Sequence, residues 1–293
     1  MTRISIILPA YNENDVLSRA ISSVLEQTFE DWELIVVDDS STDSTPEIAN
    51  SFTDDRIRLY QHHTNRGGSA ARNTGIINAT GEYISFLDAD DEWWDRKLDR
   101  QLTALTSAGD DVVATYCDIT REPPSNSIIK CAQSIRKTDS TPVDGGDELI
   151  PYILSRKFGV GGSSTLLIKS EIVREIGGFN PLFKRHQDYE FLIRVLQRGE
   201  ILYQDEILVT KHQTGSVSPE TIHDAKEQLF ESFEAEIRDA EEGGFDVVKE
   251  QKLALARSYA SAGDYDISLK LFSDLKNKNT YDYIRFIKSL TRT

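Results

Sequence analysis

Five short runs of apolar and β-branched residues recur through the first 120 positions: I-S-I-I-L (4–8), W-E-L-I-V-V (32–37), R-I-R-L-Y (56–60), Y-I-S-F-L (83–87) and V-V-A-T-Y (112–116). The runs at 4–8 and 34–37 are almost unbroken, as in strands buried on both faces of a parallel sheet. Between the runs, 14–27, 44–52, 67–79 and 95–107 have helical length and amphipathic spacing. The alternation predicts an α/β fold with a mostly parallel central sheet flanked by helices. In S-T-P-E (44–47), Ser44 and Glu47 have capping-box spacing with a proline in the first turn.

The second half is patterned less strongly. From about 121 to 147 the chain is polar, with P-P at 123–124 and G-G at 145–146, and predicts a long loop. A strand over 164–168, a helix near 187–198 and a strand over 201–209 follow. Beyond 220 the period is helical, with Ile222, Leu229, Phe233 and Ile237 on one face. The stretch 253–272 has the small residues and G-D-Y turn of a tetratricopeptide hairpin, yet one unit is visible where an array needs about three. A helical tail packed on the main domain and a partner-binding repeat both remain open. The expected division is 1–218 as the main domain, with halves of about 1–118 and 119–218, and 219–293 as a helical extension.

Charge and cysteine content narrow the classes. Lys+Arg 33 against Asp+Glu 49 gives a net charge of −16, which argues against a nucleic-acid surface. Such a surplus suits concentrated salt, where repulsion is screened, and also ordinary acidic proteins. Cys117 and Cys131 lack C-x-x-C spacing, so structural thiols in a reducing compartment are expected. The apolar run before Pro9 is too short for a signal-peptide core, and no later stretch has the 18 apolar residues of a membrane span. The expectation is a cytoplasmic protein, with peripheral contact at the cytoplasmic face of a membrane still compatible.

Ligands of open α/β sheets bind outside the carboxyl ends of the strands. Three predicted strand ends read P-A-Y-N-E (9–13), D-D-S-S-T-D (38–43) and D-A-D-D (88–91), so Tyr11, Asp39, Asp88 and Asp90 should share one cleft. Carboxylates packed there repel unless a cation joins them. Mg²⁺ and Mn²⁺ prefer such oxygen ligands, often together with substrate phosphates. An acidic solvated turn is the plainer alternative for D-A-D, as packing is for Tyr11, whose ring could otherwise stack on a base. Neither G-x-G-x-x-G nor G-x-x-x-x-G-K-[ST] occurs, so dinucleotide enzymes and P-loop NTPases recede. A haloacid-dehalogenase-like phosphatase would carry its D-x-D after the first strand, not the fourth.

P-A-Y-N-E, V-V-D-D-S-S-T-D, N-R-G-G-S-A-A-R-N (65–73), G-E-Y-I-S-F-L-D-A-D-D (81–91) and Q-D-Y-E (187–190), in this order, resemble the motif series of glycosyltransferase family 2 over roughly residues 3–215. The resemblance implies a GT-A fold and an inverting transferase that uses a nucleotide-diphospho-sugar, a UDP-sugar first among them. It implies that Pro9, Ala10, Tyr11 and Glu13 line the nucleotide pocket, Asp39 accepts from the base, and Arg72 lies near the donor. Asp88 and Ala89 would lie at the ribose or metal, and Asp90 would be the main ligand of Mn²⁺ or Mg²⁺. The family's general base lies in an E-D motif; here Gln187 departs while Asp188 keeps the carboxylate. Asp188 also precedes Phe191, Leu192 and Val195 by three, four and seven positions, on the core-facing stripe of the helix, where a helix cap is the alternative role.

Acceptor-side expectations are weaker. Gly161 and Gly162 resemble the glycine-containing strand bordering the acceptor, with a bulge as the alternative. His186 could assist there beside Gln187, and His212 resembles a histidine that reaches the metal or diphosphate, with a surface role as the alternative. The acceptor itself, a cell-surface polysaccharide, lipid-linked glycan or protein glycan, stays open. A non-catalytic nucleotide-sugar-binding scaffold acting through the helical tail is the second reading.

Overall fold

The unbroken apolar runs become the centre of a sheet. β1 (Ile4–Ala10) and β2 (Trp32–Asp38) pair in parallel from Ile4 opposite Trp32 to Ala10 opposite Asp38 in the computed structural model, which describes residues 3–121, 143–212 and 217–290. Every residue of β2 is buried, which explains why its sequence shows no alternation. β3 (Ile57–Gln61) lies outside β2 and β4 (Tyr83–Phe86) lies beside β1, both parallel. Beyond β4 the order continues through β7 (Leu167–Lys169), β6 (Val112–Arg121), β8 (Glu200–Lys211) and β5 (Asp91–Trp93). Here β6 and β8 are parallel, whereas β7 and β5 pair antiparallel with their neighbours. Strand order reverses between β1 and β4, so a crevice opens at their carboxyl ends.

Helices cover both faces of this sheet. α1 (Leu17–Leu25) buries Leu17, Ala20, Ile21 and Val24 as one stripe. α2 (Thr45–Ser51), α3 (Gly68–Asn78) and α4 (Lys97–Ser107) follow the predicted spans closely. α3 approaches β1 so tightly that a Cβ at Gly75 would stand 2.3 Å from Ile7 Cγ2. α5 (Ile150–Leu154) and α6 (Ser170–Glu175) are too short to show a period in the sequence. α7 (Gln187–Leu196) is pinned by Phe191, which stacks on Phe179 at 4.2 Å and meets Phe86 of β4 edge-on at 5.7 Å.

Three local expectations are corrected. Ser44 makes no side-chain cap bond on α2; Asp43 takes the neighbouring donors instead, from Thr45 N at 3.0 Å and Asn14 N at 3.3 Å. The strand expected over 164–168 is split: Ser163–Thr165 form a 3₁₀ turn, with Thr165 Oγ1 donating to Val160 and Gly162 carbonyls, before β7 begins. β5, a strand within D-D-E-W, was not expected at all. Most of the loop predicted over 121–147, including Cys131, lies outside the described residues. Cys117 is buried, and burial pushes its thiol up to about 12, as befits a structural cysteine.

One buried carboxylate braces the edge where α3 returns to β4. Glu33 accepts from Ser5 Oγ at 2.6 Å, from Thr80 N and Oγ1 at 2.7 Å each, and pairs with Arg58. Glu33→Ala strands the buried Ser5 hydroxyl and removes the partner of the exposed Thr80, and a loss of about 1–3 kcal/mol is expected in urea unfolding. A loss below about 0.5 kcal/mol would mean that water or neighbouring groups replace the carboxylate.

The chain divides into two compact units. The sheet with α1–α4, α6 and α7 makes the first; α5, the short stretch 183–186 and the C-terminal helices make the second. The single helical face expected across 222–237 breaks at Phe233, whose φ of −126° separates α8 (Pro219–Ser232) from α9 (Glu234–Glu242). The hairpin at 253–272 is present as α10 (Val247–Ser261) and α11 (Tyr265–Ser273). Gly263 turns it at φ 86°, and Asp264 caps α11 by accepting from Ile267 N. α12 (Thr280–Leu290) closes on the pair, with Phe286 stacked on Phe272 at 3.9 Å. Among the described residues no helix is long and apolar enough to cross a membrane.

Candidate active site

The loops leaving β1, β2 and β4 and the start of α3 bound a cleft of about 590 Å³ including its open mouth. Pro9, Ala10, Tyr11, Glu13, Asp39, Arg72, Asp88, Ala89 and Asp90 all line it, together with Gly68, Ala71 and Gln187. The expected donor-side residues are thus gathered in one place. Tyr11 is 45% exposed at the mouth, with its ring available for stacking. The loops are tied to each other: Asn12, at φ 55°, accepts from Thr42 N at 2.8 Å, and Glu13 N donates to Thr45 Oγ1 at 2.8 Å.

Asp39 has a task the sequence did not disclose. Its carboxylate receives Arg66 N, Gly67 N at 2.6 Å and His62 Nδ1 at 2.6 Å. These contacts clamp the N-R-G-G turn that starts α3 and take up most of the acceptor capacity of the side chain.

The acidic loop comes with its own cations. Arg72 Nη2 donates to Asp88 Oδ1 at 2.5 Å. Lys211 Nζ lies 2.9 Å from Asp91 Oδ2 and 3.8 Å from Asp88 Oδ2, because the β5–β8 register sets Asp91 directly across from Lys211. Burial opposes charge on Asp88, but Arg72 and Lys211 outweigh it and hold the carboxyl below its ordinary value. Burial and the Asp88 charge push Asp91 up to about 6 against the pull of Lys211. Ser164 braces both acids, donating to Asp91 Oδ2 at 2.5 Å and accepting from Asp88 N at 3.1 Å.

Burial, then the charges of Asp90, Asp43 and Asp88, push Glu13 up to about 7. A carboxyl raised in the folded state favours folding at low pH and loses that contribution as pH rises through its folded value. Glu13→Gln should therefore raise the Tm of the metal-free protein at pH 8 and leave it nearly unchanged at pH 5. Equal shifts at both pH values would show that Glu13 is not held protonated by its neighbours.

Ligand oxygens of Asp88, Asp90 and Asp91 lie within 4.8 Å of one another. An all-carboxylate donor set of this spacing suits Mg²⁺ or Mn²⁺ and not a thiolate-seeking metal. The group contains Asp91, which the sequence reading passed over, and does not contain His212, whose Nε2 stands 3.2 Å from Glu92 Oε2.

Asp188, in the first turn of α7, is half-buried and carries no hydrogen bond or ion pair among the described residues, so its side chain does not cap the helix. Gly161 and Gly162 adopt φ 80° and 107°, where a side chain would be strained. A Cβ at Gly162 would stand 3.0 Å from Lys211 Nζ and 4.0 Å from Asp188 Oδ2. Bare backbone there lets the lysine and the free carboxylate close on the same point. Gln187, expected on the acceptor side, lies in the cleft wall near Ser69, with Ser69 Oγ 3.4 Å from its Oε1. His186 falls in the second unit.

The family model described as Glycosyl transferase family 2 matches residues 5–129. A putative teichuronic acid biosynthesis glycosyltransferase of Bacillus subtilis is 30% identical over 205 residues, covering 68% of this chain and 74% of the relative. The chain belongs to glycosyltransferase family 2. The amylovoran biosynthesis glycosyltransferase AmsB of Erwinia amylovora is 32% identical, over 67% of this chain and 64% of its own length. The Escherichia coli UDP-Glc:α-D-GlcNAc-diphosphoundecaprenol β-1,3-glucosyltransferase WfgD is 44% identical over 35% of this chain and 40% of its own length. The chain thus spans less than two thirds of the length of these last two relatives.

Two solved glycosyltransferase-like structures share the fold. Staphylococcus aureus TarS in complex with UDP aligns over 98% of this chain and 89% of its own, at TM-score 0.60 and 18% identity. The mannosyltransferase PcManGT of Pyrobaculum calidifontis, in complex with GDP-Man and Mn²⁺, aligns over 98% and 79%, at TM-score 0.61 and 18% identity. The fold is GT-A. Lys211 and Ser164 are what the sequence reading missed: Lys211 stood one position before the histidine it singled out, and Ser164 serves acids 73 and 76 positions away.

Proposed function

We propose that the chain transfers a sugar from a nucleotide-diphospho-sugar to an acceptor hydroxyl by direct displacement with inversion, in the assembly of a cell-surface polysaccharide or lipid-linked oligosaccharide. The observation that carries this reading is the unpartnered Asp188 carboxylate, set across Gly162 from the Lys211–Asp91–Asp88 group. A base and a charge-neutralising cluster then border one point, as displacement requires.

In this reading the nucleotide lies against Tyr11 and the β1 and β2 loops, with its diphosphate toward Arg72 and Lys211. Asp188 accepts the acceptor hydroxyl proton as that oxygen bonds to the anomeric carbon and the bond from this carbon to the diphosphate oxygen breaks. Asp90, Asp88 and Asp91 are the residues that would hold Mg²⁺ or Mn²⁺, which supplies Lewis-acid stabilisation of the leaving diphosphate. Lys211 and Arg72 add fixed positive charge from the protein itself. UDP stands first as the donor nucleotide because TarS binds UDP and WfgD uses a UDP-sugar; the GDP-Man complex of PcManGT marks the other class.

The stereochemistry of the product tests the displacement. An α-linked UDP-sugar should yield a β-linked product, read from the anomeric proton coupling by NMR. An α-linked product would require a covalent or front-face route and would remove Asp188 from its role.

A further inference from the structure

The chain has three tryptophans, and two of them are covered. Trp32 and Trp93 are buried, with the Arg56 guanidinium 3.7 Å from the first ring centroid and the Lys97 ammonium 4.0 Å from the second. Trp94 is 48% exposed, and its ring meets no other ring or cation among the described residues. Its orientation is nevertheless fixed, because Nε1 donates to Thr210 Oγ1 at 3.1 Å. The backbone is held as well: Trp94 N donates to the Leu208 carbonyl at 3.0 Å, and Trp94 O accepts from Gln27 Nε2 at 2.8 Å. An exposed aromatic face that is already locked loses little freedom when a ligand covers it.

Polar groups stand beside this ring. β5 and β8 run antiparallel, with Asp91 opposite Lys211 and Glu92 opposite Thr210. Side chains alternate along a strand, so Glu92 and Trp94 share with Thr210 and His212 the side of the ribbon that Asp91 and Lys211 do not use. His212 Nε2 stands 3.2 Å from Glu92 Oε2, and the other carboxylate oxygen takes no hydrogen bond among the described residues. The Glu92 side chain is 39% exposed, so that oxygen is open to a ligand. All of these residues belong to the first unit, at the outermost strand of its sheet, and none of Glu92, Trp94 or His212 lines the donor cleft.

We propose that Trp94 and Glu92, with His212, form a subsite for a gluco-configured pyranose ring of an oligosaccharide, separate from the donor cleft. With its hydroxyls equatorial, such a ring presents a flat face of C–H groups that covers an indole. Its rim of hydroxyls donates to a carboxylate and exchanges hydrogen bonds with an imidazole. An anionic ligand is opposed by the Glu92 charge, and a purely apolar one would strip water from the carboxylate without replacing it. The choice of a glycan as occupant rests on the transferase reading above, which it extends to a substrate of more than one sugar.

The test is calorimetric titration of cellotetraose and tetra-N-acetylchitotetraose into the full chain, with and without saturating UDP, and with sorbitol as an acyclic polyol control. At least one tetrasaccharide should bind the parent saturably and equally well in both conditions, and sorbitol should not bind. Trp94→Leu keeps apolar cover over the strand pair but no flat face, and should bind at least about fivefold more weakly with Tm and UDP affinity at parent values. Trp94→Phe, which equally lacks the indole N–H, should stay within about threefold of the parent. Glu92→Gln should weaken binding at least about threefold, because a charged acceptor becomes a neutral one. Unchanged affinity in Trp94→Leu or Glu92→Gln would overturn the subsite, and so would displacement of the tetrasaccharide by UDP. Binding of neither tetrasaccharide by a folded parent that binds UDP would overturn the subsite and leave the transferase reading standing. Saturable binding that Trp94→Leu loses, in a chain that binds no UDP, would instead overturn the transferase reading and leave the subsite standing.

Discussion

Asp188→Asn is expected to lower kcat by about 10²–10⁴-fold, the usual contribution of a positioned general base, while the Kd for UDP-sugar stays at the parent value. The substitution is nearly isosteric and removes no ion pair, because Asp188 makes none among the described residues. Stability should accordingly be unaffected, and pre-steady-state mixing should show the loss in the chemical step. Transfer near the parent rate would place the base elsewhere. A matched loss of donor affinity would mean that the carboxylate positions the donor.

Lys211→Met is expected to lower kcat and kcat/KM together by about 10²–10³-fold, as loss of one preorganised positive group facing a developing anion does. Lys211 is held for this task on both sides: Asp91 stands opposite it in the β5–β8 register, and Asp88 lies within ion-pair reach. Those acids, with burial opposing, keep its ammonium above the ordinary lysine value, so the charge is present throughout the working range. Removing it leaves the buried Asp91 without its counter-ion and Asp88 with Arg72 alone, and metal-free Lys211→Met should bind Mn²⁺ more tightly than the parent by electron paramagnetic resonance. Unchanged Mn²⁺ affinity would mean that Lys211 does not share the carboxylates with the cation.

How far these residues were legible in the sequence depends on how local their signals are. The strands that build the crevice announced themselves because burial on both faces leaves continuous apolar runs, and D-A-D at a strand end marked the acidic loop directly. β5 did not, since three residues of D-E-W carry no period. Lys211 and Ser164 act on partners 73 to 123 positions away, through a strand register and a 3₁₀ turn that no spacing within one segment encodes. Asp39 lines the cleft, as its strand-end position suggests, and its second task, accepting from the amides of the N-R-G-G turn, lies 27 and 28 positions away in the chain and so left no local signal. The break at Phe233 was hidden for a related reason: the apolar face continues through it while the backbone leaves the helix. Segments 150–154 and 183–186 join the C-terminal helices only in three dimensions.

The central claim is that the acidic cleft becomes complete when a divalent cation and a diphosphate donor enter it together. The most direct measurement is calorimetric titration of UDP-sugar into the parent and Asp90→Ala proteins, each with and without Mn²⁺. The account predicts donor binding strengthened at least about tenfold by Mn²⁺ in the parent, and a metal effect largely lost in Asp90→Ala, because one of the three clustered carboxylates that would hold the cation is removed. Donor affinity identical with and without Mn²⁺ in the parent would contradict it.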